Sequence, residues 1–256
     1  MAIGFLNGSD YRPQNETQAA YKSGFEAGQS EEYGAFWDAY QKRGSRTDYQ
    51  YAFYGPGWNT RNLKPKYNII PKTETMCMFK DTQIEGDLAQ ICADAGIVID
   101  FSQATKFEYV FQNAKFTRIG EIDAYNANRF NQVFFNCKNL ETIDHIIMSE
   151  MATFSNPFMG CTNLKNVIFD GVIGQTGLSF SSSNKLTRDS LTSIMRALDL
   201  NYTLDDEDNL IVRTITLSKE AVNKAFETGE GMNDGEGNMD WIQMCMARMQ
   251  WNIVLI

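Results

Sequence analysis

Apolar residues recur through the middle of this chain at a constant offset. "FFNCKNLETI" runs from Phe134 to Ile143, and "FMGCTNLKNV" runs from Phe158 to Val167, twenty-four residues later. The same shift aligns Val110 with Phe134 and Phe158, Phe111 with Phe135 and Met159, Phe116 with Leu140 and Leu164, and Ile119 with Ile143 and Val167. Columns that stay apolar over a period of about twenty to thirty residues predict stacked turns, because one turn cannot bury its apolar side alone and a stack can. The alternation in "LETI" and "LKNVIF" predicts one short strand per turn, with successive strands pairing in parallel. Cys137 and Cys161 share a column, where they read as small buried hydrophobes rather than nucleophiles or ligands; Asn113 holds the matching place in a looser first turn. "FKDTQI", from Phe79 to Ile84, repeats the Phe-to-aliphatic spacing of Phe111 to Phe116 and predicts an earlier turn, while Phe180 and Leu186 predict a last, shortened one.

Other segments carry a different period. "DLAQICADAG" sets Leu88, Ile91, Cys92 and Ala95 at helical spacing and ends at Gly96, so a helix interrupts one turn, with "IVIDF" as a strand after it. From Asn15 to about Arg43 the pattern predicts a helix capped by Asn15, with Phe25, Tyr33, Phe36, Trp37 and Tyr40 on one face. Gly24 and Gly28 permit either close backbone approach or a break there. The aromatic, Gly- and Pro-containing stretch from Arg46 to Pro71 predicts an irregular connector. After Leu186, "TRDSLTSIMRALDLN" predicts a helix capped by Thr187 with Leu191, Ile194, Met195 and Leu198 buried. "NLIVRTITLS" predicts a strand, "KEAVNKAFE" a helix capped by Ser218, "NMDWIQMCMARMQ" another helix, and "WNIVLI" a closing strand. The expected fold is α/β: an irregular repeat solenoid of parallel short strands over residues 61–186, preceded by an N-terminal aromatic helix and connector (1–60) and closed by a C-terminal α/β cap (187–256).

Bulk composition narrows the function. With 43% hydrophobic and 12% aromatic residues, 256 residues suffice for a sizeable core. A net charge of −9 opposes binding to polyanions, so neither nucleic acid nor an anionic membrane surface is an expected partner. No run approaches the roughly twenty apolar residues of a membrane-crossing helix. The opening "MAIGFLNGSDYRPQ" lacks a basic start and an apolar stretch of signal-peptide length, which predicts synthesis in the cytoplasm. Five cysteines without a C-x-x-C pair fit reduced, buried thiols.

The Phe-x-x-Cys-x-x-Leu-x-x-Ile unit of Phe134–Ile143 and Phe158–Val167 resembles that of Treponema-type, or BspA-like, leucine-rich repeats, over about residues 75–186. The chain departs from that pattern in its few turns, its inserted helix and the lack of a proline after the strand. Its flanks, "EYGAFWDAYQKRGSRTDYQYAFYGPGW" and "LTRDSLTSIMRAL" to "TITLS", are similar to those of short leucine-rich-repeat proteins encoded by phages and prophages of gut bacteria. The resemblance implies a non-enzymatic virion protein, tail- or baseplate-associated. Residues 1–60 would join it to other virion proteins, and the repeat would contact a host-surface protein or glycan. It leaves a homo-oligomer open. A bacterial cell-surface adhesin or secreted effector of the same family is the alternative, and a polysaccharide-cleaving tail enzyme a second one.

Candidate chemistry is sparse. His145, in "IDHIIM", is the lone histidine, and with no second one neither acid–base catalysis nor a zinc site is expected from it. The acidic stretch Asp205 to Asn209 and the loop "GEGMNDGEGNMD" are oxygen-rich but lack the spacing of a calcium loop, and read as solvated turns. No phosphate loop and no nucleophile elbow occurs. Thirty-two acidic residues leave paired carboxylates for glycoside cleavage as the enzyme reading. The expectation is therefore no catalytic residue, no metal, no cofactor, and a binding surface that the sequence does not assign.

Overall fold

A buried phenylalanine recurs at intervals through the described residues. In the computed structural model, which describes residues 53, 68–73, 75–201, 204–226, 245 and 251–256, Phe53, Phe79, Phe111, Phe134, Phe158 and Phe180 form a continuous column. Their ring centroids lie 4.7, 5.4, 5.5, 5.0 and 4.4 Å apart in that order, with planes 4–23° from parallel. Such rings combine large apolar burial with favourable offset stacking.

The backbone bends sharply on both sides of each ring. Two residues before it, Cys77, Tyr109, Gln132 and Asn156 have positive φ; two residues after it, Asp81, Asn113, Asn136 and Gly160 do. The second set consists of the residue types that enter the left-handed region most readily. The bends present amides to the next turn: Phe79 N donates to Val110 O, Phe111 N to Val133 O and Phe134 N to Pro157 O, at 2.7–2.9 Å. The Asp81–Asn113–Asn136 side chains continue the link, with Asn113 Nδ2 donating to Asp81 Oδ1 at 2.6 Å and Asn136 Nδ2 to Asn113 Oδ1 at 2.8 Å.

This geometry corrects the column assignment. Phe111, not Val110, stacks on Phe134, and Met159, expected beneath Phe111 and Phe135, is exposed. The offset is 23 residues from Phe111 to Phe134 and returns to 24 at the strands, where Ile119 lies opposite Ile143 and Ile143 opposite Val167. The cause is a one-residue difference in the link from the small buried residue (Ala114 or Cys137) to the next apolar anchor (Phe116 or Leu140). Cys137 therefore stands over Ala114 rather than Asn113.

The described residues make a mixed α/β structure whose sheets are parallel. Strands β1 (Glu85–Asp87), β2 (Lys115–Asp123), β4 (Thr142–Ile147) and β6 (Asn166–Phe169) form one sheet in that order; β3 (Arg129–Asn131) and β5 (Thr153–Ser155) form a second; β7 (Ser179–Phe180), β8 (Arg213–Leu217) and β9 (Trp251–Leu255) form a third. The strands preceded by Leu140 and Leu164 thus run side by side. The β3–β5 pair was not foreseen, since its three-residue strands carry one buried phenylalanine or less. At the corner after β6 the turns approach closely: a side chain at Gly171 would come within 2.6 Å of Met148 N, and Gly174 abuts Glu150 in the same way.

Helix α1 (Leu88–Ala95) follows β1, capped by the Asp87 carboxylate on Gln90 N and ended by Gly96 in left-handed conformation. Leu88, Ile91 and Cys92 are buried, but Ala95, expected on that face, is exposed. "IVIDF" contributes one bridge, Ile99 to Ile69, instead of a strand. The helix expected over 15–43, the connector except Phe53 and its last residues, and most of the helix expected in "NMDWIQMCMARMQ" lie outside the described residues. Cys245 of that last segment is helical.

Helix α2 (Arg188–Ala197) begins at Thr187, whose side chain accepts from Ser190 N, and buries Leu191, Ile194 and Met195. It also closes the edge of the four-stranded sheet. Ser190 Oγ accepts from Val167 N at 2.9 Å and donates to Lys165 O; Ser193 Oγ accepts from Phe169 N at 2.8 Å. Two serines three apart on one helical face thereby satisfy β6 amides that would otherwise be open to further pairing. Replacing both serines by alanine strands these amides and is expected to cost about 1–3 kcal/mol for each. Urea unfolding and faster hydrogen exchange at the Val167 amide report the loss.

β8 pairs in parallel with β7, Phe180 lying opposite Leu217, so the third sheet crosses the expected boundary at 186/187. The strand in "NLIVRTITLS" is confined to Arg213–Leu217, and Leu210, Ile211 and Val212 are exposed. Helix α3 (Lys219–Phe226) follows, with Ser218 Oγ accepting from Ala221 N.

Candidate functional site

The inner side of the β1–β2–β4–β6 sheet is filled by Ile119, Ile122, Ile143, Ile146, Val167 and Phe169, leaving the outer side polar. Arg118 on β2 grips Asp144 on β4 with two bonds, Nε to Oδ1 at 2.8 Å and Nη2 to Oδ2 at 2.5 Å, and reaches Asp87 at 3.1 Å. Hydrogen bonds to Asp144, then to Asp87, push the guanidinium pKa further up, so it is charged at any ordinary pH. Lys165 pairs with Glu141 at 2.8 Å, and this contact lowers the Glu141 pKa. Exposed pairs of this kind add little stability. Their effect is to hold long side chains in defined positions on a rigid face.

His145 stands on this face, on β4 opposite Glu121 of β2. Its Nδ1 hydrogen-bonds Asp170 Oδ2, and both side chains are 46% exposed. Asp170 in turn borders a cleft of about 730 Å³ between the end of β6 and α2, lined also by Phe169, Arg188, Asp189, Thr192, Ser193 and Arg196. The Arg188 guanidinium lies 5.1 Å from the Phe226 ring of α3, a cation–π contact that restrains it. The cleft thus offers two guanidinium groups, hydroxyls and two carboxylates on two rigid elements. That set matches a polyhydroxylated ligand carrying an acidic group, since guanidinium presents paired donors to carboxylate and hydroxyl oxygens alike.

Of the other residues singled out in the sequence, the described cysteines and Asp205 do not join this site. Cys137 and Cys161 are buried and donate to Phe111 O and Phe134 O at 2.8 and 3.0 Å. Burial raises both thiols, that of Cys161 to about 12, which leaves no reactive thiolate at neutral pH. Asp205 turns its carboxylate onto its own loop, accepting from Asn209 N and Glu207 N at 2.9 Å each, and these bonds lower its pKa. The loop over residues 229–240 lies outside the described residues. Among the described residues no group of three His, Cys, Asp or Glu side chains could hold a metal ion, and no helix is long and apolar enough to cross a membrane.

Asp170, Arg188 and Arg196 escaped the sequence reading. Arg188, Thr192 and Arg196 stand four apart, so they share the α2 face opposite its buried stripe, and that spacing is the signal that was available. Nothing in the sequence placed Asp170 or His145 beside them. Searches against protein-family models, curated proteins and solved structures find no match to this chain.

Proposed function

We propose that this chain is a non-enzymatic binding protein built as an irregular leucine-rich-repeat solenoid, carried on a phage or prophage particle at its tail or baseplate. It meets a host-surface glycan through the outer face of the β1–β2–β4–β6 sheet and the cleft beside α2. The repeat reading is supported by the 23- and 24-residue spacing of stacked phenylalanines and strand partners. The virion part rests on the similarity of the flanking segments to those of phage and prophage repeat proteins. Detection of the chain in purified particles tests that part.

The observation that carries the binding reading is the meeting of Asp170, Arg188, Thr192, Ser193 and Arg196 in one cleft. Rigid repeat scaffolds suit broad recognition by side chains held in fixed rows. Screening the full chain on an array of bacterial-surface glycans should give binding to acidic sugars. Replacing Arg188 and Arg196 by alanine should weaken that binding about tenfold or more, as expected for lost charge-assisted contacts. Equal binding by the variant, or glycans shortened after incubation, would overturn the reading.

A further inference from the structure

The last sheet ends in a strand with two chemically opposite ends. Among the described residues β9 pairs only with β8, and Asn252, Leu255 and Ile256 are exposed, Ile256 by 69%. The start of β9 is tied to the segment that leads into β8: Trp251 lies opposite Arg213, and its Nε1 donates to Asp199 O at 2.9 Å. In that segment Leu200, Leu204, Leu210, Ile211 and Val212 are 42–57% exposed, and an antiparallel bridge joins Leu204 to Leu210. The tip between them carries Asp206, Glu207 and Asp208, whose side chains make no hydrogen bond or ion pair among the described residues.

The far end of β9 has the complementary character. Ile256 borders a hollow of about 750 Å³ together with Ser181, Asn184, Ser218, Lys219 and Lys224. Neither lysine has an ion-pair partner among the described residues, while Glu220 in the same hollow is engaged by Asn184 Nδ2 at 2.9 Å. Exposed aliphatics beside carboxylates thus mark one end of a five-residue strand, and exposed aliphatics beside ammonium groups mark the other, neither set being paired among the described residues. At about 3.3 Å per residue the two ends are separated by roughly 16 Å.

We infer that β9 pairs antiparallel with β9 of a second copy about a two-fold axis, seating the acidic hairpin of each copy against Lys219 and Lys224 of the other. A two-fold axis across the strand is the operation that brings its start beside the partner's end, so one patch self-complements twice. Backbone pairing would supply the edge contacts, and Leu210, Ile211 and Val212 would cover Leu255 and Ile256 across the axis. Charge complementarity selects a second copy over an unrelated partner, because the chain already carries both halves of the match. The inference is independent of what the cleft beside α2 binds.

The test is a charge exchange in the full-length chain, read by light scattering on a sizing column at up to about 100 µM protein, where weak dimers populate. The wild type should run as a dimer. One variant, K219E/K224E, and another, D206K/E207K/D208K, should each shift to monomer, with dimer dissociation constants raised about tenfold or more. An equimolar mixture of the two should restore a dimer, since each tip then meets an opposite charge on both sides. The altered side chains are exposed or line an open hollow, and circular dichroism confirms that each variant is folded. A monomeric wild type, a dimer untouched by both exchanges, or a mixture that stays monomeric would overturn the inference.

Discussion

Replacing Phe134 by alanine is expected to lower the unfolding free energy by about 3–5 kcal/mol. Phe134 is fully buried at the centre of the column, 5.5 Å from Phe111 and 5.0 Å from Phe158. Truncation removes its apolar burial and leaves a cavity that two neighbouring turns cannot both fill, because each is pinned to the next by its own backbone bonds. Urea unfolding followed by far-ultraviolet circular dichroism measures the change. Met159→Ala, exposed one residue after Phe158, should stay within about 0.5 kcal/mol of wild type and serves as the control. Equal effects at the two positions would contradict the central role of the column. Phe53 extends the same column by stacking on Phe79 and donating its amide to Met78 O at 2.7 Å. The expected segment boundary at residue 60 therefore runs through the stack.

Asp199→Ala is expected to cost a similar amount, about 3–5 kcal/mol, for an electrostatic reason. Arg213 on β8 is nearly inaccessible, its side chain 7% exposed, and it pairs with Asp199 at 2.8 Å. It also donates to Gly174 O at 3.1 Å and to Asn201 O, and lies 5.1 Å from the Trp251 ring. Removing the carboxylate leaves a buried guanidinium that is always charged, facing backbone carbonyls and the Trp251 ring with no counter-charge among the contacts described. Replacing Arg213 and Asp199 together by apolar residues of similar size should recover part of the loss, since the desolvation of both charges is then relieved.

The same pair sets an acid limit. Burial raises the Asp199 carboxyl, but hydrogen bonds from Arg213 and Asn201 outweigh it and hold the group below its ordinary value. A carboxyl lowered in the folded state contributes stability above its unfolded value, about 3.9, and loses it as pH falls through the folded value. The wild type should therefore weaken below about pH 4, and Asp199→Asn should flatten that part of the stability profile in denaturant titrations at stepped pH.

Periodicity alone was a sound guide wherever local chemistry and tertiary contact demanded the same thing. Helix α2 begins at Thr187 as its hydroxyl dictated, and α1 ends at Gly96 because a left-handed residue without Cβ suits that place. Ile119, Ile143 and Val167 became strand partners because each follows its apolar anchor, Phe116, Leu140 or Leu164, by three residues, which leaves little freedom in register. Ala95 and "IVIDF" failed for the complementary reason: helical spacing or β-branched content does not reveal which neighbour is present to cover or pair with a segment. The first turn was misaligned by one residue because Val110 and Phe111 are equally apolar. Only the positive φ at Tyr109 and Asn113 identifies Phe111 as the residue between the bends.

From its sequence this protein was determined to have parallel strands stacked at about two dozen residues, small buried cysteines in one column, and an acidic net charge. These follow from short-range spacing and composition, which every copy of a turn carries within itself. Tertiary structure alone decided that Ser190 and Ser193 close the edge of β6, that Arg213 is buried against Asp199 and Trp251, and that Asp170, hydrogen-bonded to His145, shares a cleft with Arg188 and Arg196. Each of these joins residues from different turns, and their meeting depends on how the chain closes in space rather than on any pattern that one segment holds.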